Sequence, residues 1–178
     1  MCTEIEAKLK VDSLSEIEHK LGELGARFLC EQSQTDYYFD DVNSTLTKTD
    51  QCLRLRKQMV EKSESCFLTY KGSKEKSNLK RRKEIESEIT DADSIHKLLL
   101  ALGYKQVLIV EKKRRLWFFC KCEVALDQLP QLGDFVEIEG PDEEEISNVQ
   151  NSLGLADLPH IPQSYASLLK EQLQQSDK

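Results

Sequence analysis

Four stretches of this chain alternate apolar and charged residues with a period of two, and that period limits the fold more than any other feature. Ile5, Ala7 and Leu9 alternate with Glu4, Glu6 and Lys8, and Leu53 and Leu55 with Arg54 and Arg56. Ile85 and Ile89 are set among Arg82, Glu84, Glu86 and Glu88, and Val136 and Ile138 alternate with Glu137 and Glu139. Successive side chains of a strand point to opposite faces, so each stretch is predicted to be a strand with one apolar and one charged face. YYFDD, CFLTYKG and the long VLIVEKKRRLWFFCKCEVALD, broken near Cys120, bring the strand candidates to roughly eight.

Between these runs the period changes to that of a helix. SLSEIEHKLGELG carries Leu14, Ile17, Leu21 and Leu24 at helical spacing behind the cap candidate Ser13, and DADSIHKLLLALG and DEEEISNVQNSLG follow the same pattern. Strand, acidic or Ser-containing turn, helix and Leu-Gly stop recur three times, beginning at Glu4, Glu84 and Glu137. A fourth Glu-Ile-Glu, Glu16 to Glu18, falls inside the first helix, where residues two apart diverge, and reads as a solvated helix face. The strand-helix-strand order admits a parallel sheet, and the short connections between other runs admit antiparallel pairing equally.

Composition narrows the function. A chain of 178 residues with 39% hydrophobic and 32% charged side chains supports one globular domain, here residues 1–170, followed by a polar tail over 171–178. No apolar run has the length of a membrane span or a signal peptide, so a cytoplasmic protein without membrane contact is expected. The net charge of −7 opposes binding to a nucleic-acid backbone. Six cysteines without a CxxC spacing read as reduced thiols, and His19, His96 and His160 are too scattered for a catalytic set.

Taken singly, each charged strand face reads as solvent-exposed. Taken together they would form one continuous charged surface, and closing the sheet would put it inside a barrel; about eight strands enclose room for one small ligand. The inferred inner face carries Lys8, Arg54, Arg56, Lys71, Arg82, Lys112 and Arg114, opposed by Glu4, Glu6, Glu84, Glu86, Asp127, Glu137 and Glu139. Such a tunnel must interlock its charges or hold ions that satisfy them. Carboxylates without neighbouring His or Cys suit Mg²⁺ or Mn²⁺, and Arg and Lys suit phosphate oxygens. A triphosphate of about −4 together with two divalent cations keeps the balance near neutral. In KKRR, a shift of one register step would turn Lys113 and Arg115 inward instead of Lys112 and Arg114.

Several of these stretches, in this order, resemble the CYTH domain family, the class IV adenylyl cyclase, thiamine triphosphatase and triphosphate tunnel metalloenzyme group. TEIEAK matches its ExExK signature, followed by DYYFD, LRLR, LTYKG, RKEIE, KKR, ALDQLPQLGDFVEIEG and SYASLL. The resemblance implies an α+β fold with an eight-stranded antiparallel barrel, forming a charged tunnel with flanking helices. It also implies triphosphate binding by Lys8, Arg54, Arg56, Lys71, Arg82, Lys112 and Arg114, and metal binding by Glu4, Glu6, Glu137 and Glu139. Glu84 and Glu86 are implied as metal or salt-bridge residues, and Asp127, Glu86 and Lys8 as catalytic. LGDFVEIEG and the SY element look most like the CyaB branch, which implies conversion of ATP to cyclic AMP and pyrophosphate with Mg²⁺ or Mn²⁺, and a homodimer. A triphosphatase, or a non-catalytic polyphosphate or nucleotide binder, are the alternatives. Lys74, Lys76 and Lys80 of GSKEKSNLKRR form either a solvated loop or a lid over an anion, and Tyr165 is either a core aromatic or a helix residue near the tunnel mouth.

Overall fold

The computed structural model describes residues 2–75 and 79–176, so Lys76 of the lysine-rich loop lies outside the described residues. The alternating stretches become eight strands: β1 (Cys2–Val11), β2 (Arg27–Asp40), β3 (Cys52–Val60), β4 (Ser63–Lys71), β5 (Lys80–Ile89), β6 (Lys105–Phe119), β7 (Cys122–Leu129) and β8 (Gly133–Glu139). Each pairs antiparallel with its neighbours, and the order β1-β5-β4-β3-β2-β6-β7-β8 closes on itself. The fold is the α+β barrel with flanking helices anticipated above, and the choice between parallel and antiparallel pairing is settled for the latter. The break near Cys120 is a tight hairpin turn in which Cys120 and Lys121 both have positive φ, at 48° and 65°. This is the geometry that matches the right-handed twist of the flanking strands.

The three strand-helix repeats also form. β1, β5 and β8 lead into α1 (Leu14–Glu23), α3 (Ala92–Ala101) and α4 (Glu143–Leu153), capped at their starts by the side chains of Ser13, Asp91 and Asp142. Between the first two lies α2 (Thr45–Lys48), a single turn whose backbone N–H groups at Leu46 and Thr47 donate to the Asp40 carboxylate. The last helix, α5 (Tyr165–Ser176), carries on into the polar stretch after 170.

The apolar faces of the strands point outward and are covered by helices. Ala7, Leu9, Val124, Leu126, Val136 and Ile138 form one core with Leu14, Ile17 and Leu21 of α1 and Ile146, Val149 and Leu153 of α4. A second core sets Phe39 and Leu55 against Ala92 and Leu99 of α3, where His96 packs edge-on to Phe39. Gly140 permits the close approach of α4, since a Cβ there would lie 2.7 Å from Cys122 Sγ and 3.0 Å from Ile146 Cγ1. A third core is inside the barrel: Val110, Leu129 and Phe135 meet Tyr165, Ala166 and Leu169 of α5, which enters one end of the tunnel. Apart from this apolar plug at one end, sheet closure buries apolar residues on the outside and leaves the interior to charged and polar residues, unlike a small barrel filled by aliphatic side chains throughout. Among the described residues no helix is long and apolar enough to cross a membrane.

Candidate active site

Period-two alternation turns Glu4, Glu6 and Lys8 of β1 into the barrel while Ile5, Ala7 and Leu9 face the helices, and the same parity acts on every strand. The resulting cavity has a volume of about 760 Å³ and is lined by all seven basic residues inferred from the sequence and by Glu4, Glu6, Glu84, Glu86, Glu137 and Glu139. The KKRR register is the first of the two considered: Lys112 is buried and Arg114 lines the cavity, while Lys113 is exposed and Arg115 pairs outward with Glu18 of α1. That contact also gives the fourth Glu-Ile-Glu a structural partner.

The cations are held by specific partners. Arg56 forms a two-pronged ion pair with Asp36, Nε and Nη2 donating over 2.6 and 2.8 Å. Arg54 donates to Thr69 Oγ1 over 3.2 Å and stands 3.5 Å from Glu86, whose carboxylate also accepts from Thr69 Oγ1. Lys71 bridges Glu4 and Glu84 at 2.7 and 2.8 Å, and Arg82 reaches Asp50 at 3.3 Å. Lys8 donates to the Gln163 carbonyl over 3.0 Å and lies 3.2 Å from Glu137. Even so, the Nε–H groups of Arg54 and Arg82 are buried with no partner among the described residues. A buried N–H of a guanidinium left without an acceptor is costly.

Asp127 lies elsewhere. It has no exposed surface and is not part of the cavity wall. It accepts from Arg114 Nε and Nη2 over 2.6 and 2.5 Å, from Tyr165 Oη over 2.9 Å and from Lys112 Nζ over 3.4 Å. A carboxylate saturated in this way fixes the basic residues in front of it; it offers no free oxygen to a ribose hydroxyl. Tyr165 is both of the things its sequence context allowed, a buried aromatic and the first residue of a helix at the tunnel end, with the Lys8 and Lys112 ammoniums 4.1 and 4.9 Å from its ring centre.

The electrostatics divide the tunnel into two zones. Burial, reinforced by Arg114 and only partly opposed by Asp127, depresses the Lys112 pKa to about 7. Burial works against the charge on Asp36 as well, but Arg56 and Arg54 outweigh it and hold this carboxyl well below its usual range. At the other side Glu139 is open to solvent at the rim, yet partial dehydration together with the like charges of Glu4 and Glu6 pushes its pKa up to about 7, with Lys71 opposing. Mutually repelling carboxylates with no His or Cys beside them are a hard donor set of the kind Mg²⁺ and Mn²⁺ accept. Among the described residues no three such side chains are grouped closely enough to hold a metal ion by themselves. Glu4 is paired with Lys71, and Glu137 lies one register step deeper, against Lys8 and Arg114. The donor type of Glu4, Glu6 and Glu139 suits such an ion, and waters or phosphate oxygens would have to complete its shell, as they commonly do for Mg²⁺.

Sequence reasoning missed Asp36, Asp50 and a row of glutamines, Gln32, Gln34 and Gln58, all of which line the cavity. The signal for the β2 members was present: Gln32, Gln34 and Asp36 alternate with Ser33 and Thr35 in QSQTD. Because every residue in that stretch is polar, the period does not stand out. With Asp36, Asp50, Glu123 and Lys170 included, eight basic side chains face nine carboxylates on the wall, so a bare triphosphate would enter a tunnel already near neutrality and needs cations with it.

Comparison with known proteins agrees with this geometry. The model of the CYTH domain matches residues 3–165. A candidate adenylate cyclase of Methanocaldococcus jannaschii, MJ0240, is 32% identical over 136 residues, 76% of this chain and 75% of that protein. Adenylate cyclase CyaB of Aeromonas hydrophila is 27% identical over 180 residues, covering 96% of this chain and 90% of the relative. Among solved structures, the PH1819 protein of Pyrococcus horikoshii superposes with a TM-score of 0.83 at 32% identity, over 95% of this chain and 99% of the other. With the family model spanning nearly the whole barrel and the signature residues turned into its tunnel, the chain belongs to the CYTH domain family.

Proposed function

We propose that this protein is an enzyme that acts on a triphosphate with Mg²⁺ or Mn²⁺, two ions in the full complex, and that its first activity is conversion of ATP to cyclic AMP and pyrophosphate. The observation that carries the reading is the convergence of Lys8, Arg54, Arg56, Lys71, Arg82, Lys112 and Arg114 on the wall of one tunnel, opposite Glu4, Glu6 and Glu139. The names of the Methanocaldococcus and Aeromonas relatives support the choice of cyclisation.

In this reading the seven basic side chains grip the phosphate oxygens, and Glu4, Glu6 and Glu139 hold metal, with Glu137 joining them through movement of Lys8. A bound divalent ion neutralises phosphate charge and polarises a phosphoryl oxygen. Cyclisation forms a bond from the ribose 3′-oxygen to the α-phosphorus, breaks the bond from that phosphorus to the β-phosphate oxygen, and frees the hydroxyl proton. Glu86, on the wall beside Arg54, is the carboxylate assigned to take the proton. Lys8 and Lys112 meet the charge on the departing pyrophosphate. Asp127, first expected to be catalytic, becomes a positioning residue that acts through Arg114. Glu84, tied to Lys71, is a salt-bridge partner in the same sense.

One observation favours hydrolysis as the second reading. Burial of Asp127 removes a carboxylate expected at the ribose hydroxyl and leaves every triphosphate contact in place. Incubating the protein with ATP and, separately, inorganic triphosphate under Mn²⁺, then separating the products by chromatography, decides the matter. Cyclic AMP and pyrophosphate support cyclisation; ADP and orthophosphate, or cleavage of inorganic triphosphate alone, assign a triphosphatase. A cytoplasmic setting, a small-molecule ligand in place of nucleic acid, and a homodimer belong to the same proposal.

A further inference from the structure

We propose that Asp50 is an internal competitor for the substrate: in the free protein its carboxylate takes the place of a phosphate oxygen on Arg82, and the triphosphate binds by displacing it. The inference rests on the triphosphate reading above and adds to it an autoinhibitory ion pair that sets affinity.

Asp50 lies in the loop between α2 and β3, at the tunnel end where β5 also begins, and both Asp50 and Arg82 line the cavity. The other arginines of the wall are matched by carboxylates on strands: Arg54 by Glu86 of β5, Arg56 by Asp36 of β2 and Arg114 by Asp127 of β7. A strand carboxylate moves only with its sheet. Asp50 stands outside the sheet, and its side chain is 49% exposed where that of Arg82 is 5% exposed. Water therefore reaches the pair from the Asp50 side, and an ion pair open to water in this way contributes little net stability.

The hydrogen bonds show which contact yields. Arg82 Nη2 meets Asp50 Oδ1 and Oδ2 over 3.3 and 3.4 Å, well beyond the roughly 2.7–2.9 Å of a strong charge-assisted bond. Asp50 is held more closely by Lys74, whose main-chain N–H donates to Oδ2 over 3.0 Å and whose Nζ stands 3.2 Å from Oδ1. The backbone is fixed too. The Asp50 N–H donates to the Thr47 carbonyl over 3.2 Å, and a φ of 55° puts the residue in the left-handed region, which Asp and Asn tolerate better than most residues. The loop thus carries a carboxylate to Arg82 without binding it tightly. A phosphate offers the guanidinium two parallel acceptors and more charge than one carboxylate, so it takes Arg82 while Lys74 keeps Asp50. Because Arg82 is available to phosphate only when Asp50 is off it, the apparent Kd is the intrinsic value divided by the free fraction.

The test is a double-mutant cycle read by calorimetry in Mg²⁺, with the fully methylene-bridged analogues of inorganic triphosphate and of ATP as probes that resist cleavage. Asp50→Asn removes the charge, keeps the shape, suits the left-handed backbone and still accepts from the Lys74 N–H. It is expected to tighten binding about two- to fivefold, the size of one exposed ion pair. In an Arg82→Ala background the same substitution should give no gain, because the contact that it relieves is already gone. If Arg82→Ala does not fold, Arg82→Gln takes its place as the background. Unchanged or weaker binding by Asp50→Asn overturns the proposal, since a residue that merely positions Arg82 gives that result. An equal gain in both backgrounds overturns it as well, because it marks a general relief of negative charge; in either case the triphosphate reading stands. Binding of neither analogue by the wild type overturns the triphosphate reading and the competitor with it.

Discussion

Replacing Asp127 separates positioning from catalysis. Its side chain is fully buried and receives four hydrogen bonds, two from Arg114 and one each from Lys112 and Tyr165. Asp127→Ala leaves two buried cations without their shared counter-charge, and removing one partner of a buried ion pair costs about 3–5 kcal/mol. That is a large share of the roughly 5–15 kcal/mol that stabilises a domain, so the urea midpoint should fall steeply while a folded baseline remains measurable. Asp127→Asn keeps the shape and can still accept from Arg114, so its loss should be smaller. Steady-state kinetics then discriminate. A positioning residue gives Asp127→Asn a raised KM or triphosphate Kd, because one neutral amide oxygen holds Arg114 less firmly than a two-pronged carboxylate, whereas a general base would lower kcat and leave Kd unchanged. An unchanged Kd together with a collapsed kcat would refute the assignment, and so would an Asp127→Ala midpoint equal to that of the wild type.

Four further outcomes are expected. Arg54→Ala and Arg56→Ala should each weaken triphosphate binding by about 1.5–3 kcal/mol, the range for charge-assisted hydrogen bonds, with Lys113→Ala close to wild type; calorimetric Kd values check both statements. Lys112, depressed to about 7 by burial and Arg114, is mostly neutral at pH 8 in the free protein; an anion raises its pKa, so binding should take up close to one proton, visible as a buffer-dependent heat, and affinity should fall as pH rises from 7 to 9. Because the folded pKa of Lys112 lies below the unfolded value of about 10.4, this residue's contribution to stability improves as pH rises between the two. Asp36 has the opposite linkage: its carboxyl is lowered, so its stabilisation is complete above about pH 4 and lost on further acidification, a loss that Asp36→Asn should remove from the acid-unfolding curve. Glu4→Gln or Glu139→Gln should abolish metal-dependent turnover without shifting the thermal midpoint by more than a few degrees, and chelation of wild-type protein should reproduce the loss.

What the sequence determined by itself is the parity of the charged strands. In a strand the side-chain direction is fixed by position modulo two, so Glu4, Glu6 and Lys8, or Arg54 and Arg56, must share a face wherever the strand is placed. Helical periodicity likewise determined α1, α3 and α4, because their apolar stripes have only the outer face of the barrel to cover. Tertiary structure decided what parity leaves open. Whether Lys112 or Lys113 faces inward depends on pairing between β2, β6 and β7, set by packing across strands distant in sequence. Asp127 has the correct parity, yet whether it touches the tunnel or stands behind Arg114 depends on α5, whose Tyr165 closes over it from 38 residues away. The glutamine row has the right period but no contrast of polarity along β2, and it becomes a hydrogen-bonded cluster only when Gln58 of β3 is brought within 2.8 Å of Gln34. Alternation encodes the direction of a side chain; its depth and its partners are properties of the closed sheet, because they arise from contacts that no local segment contains.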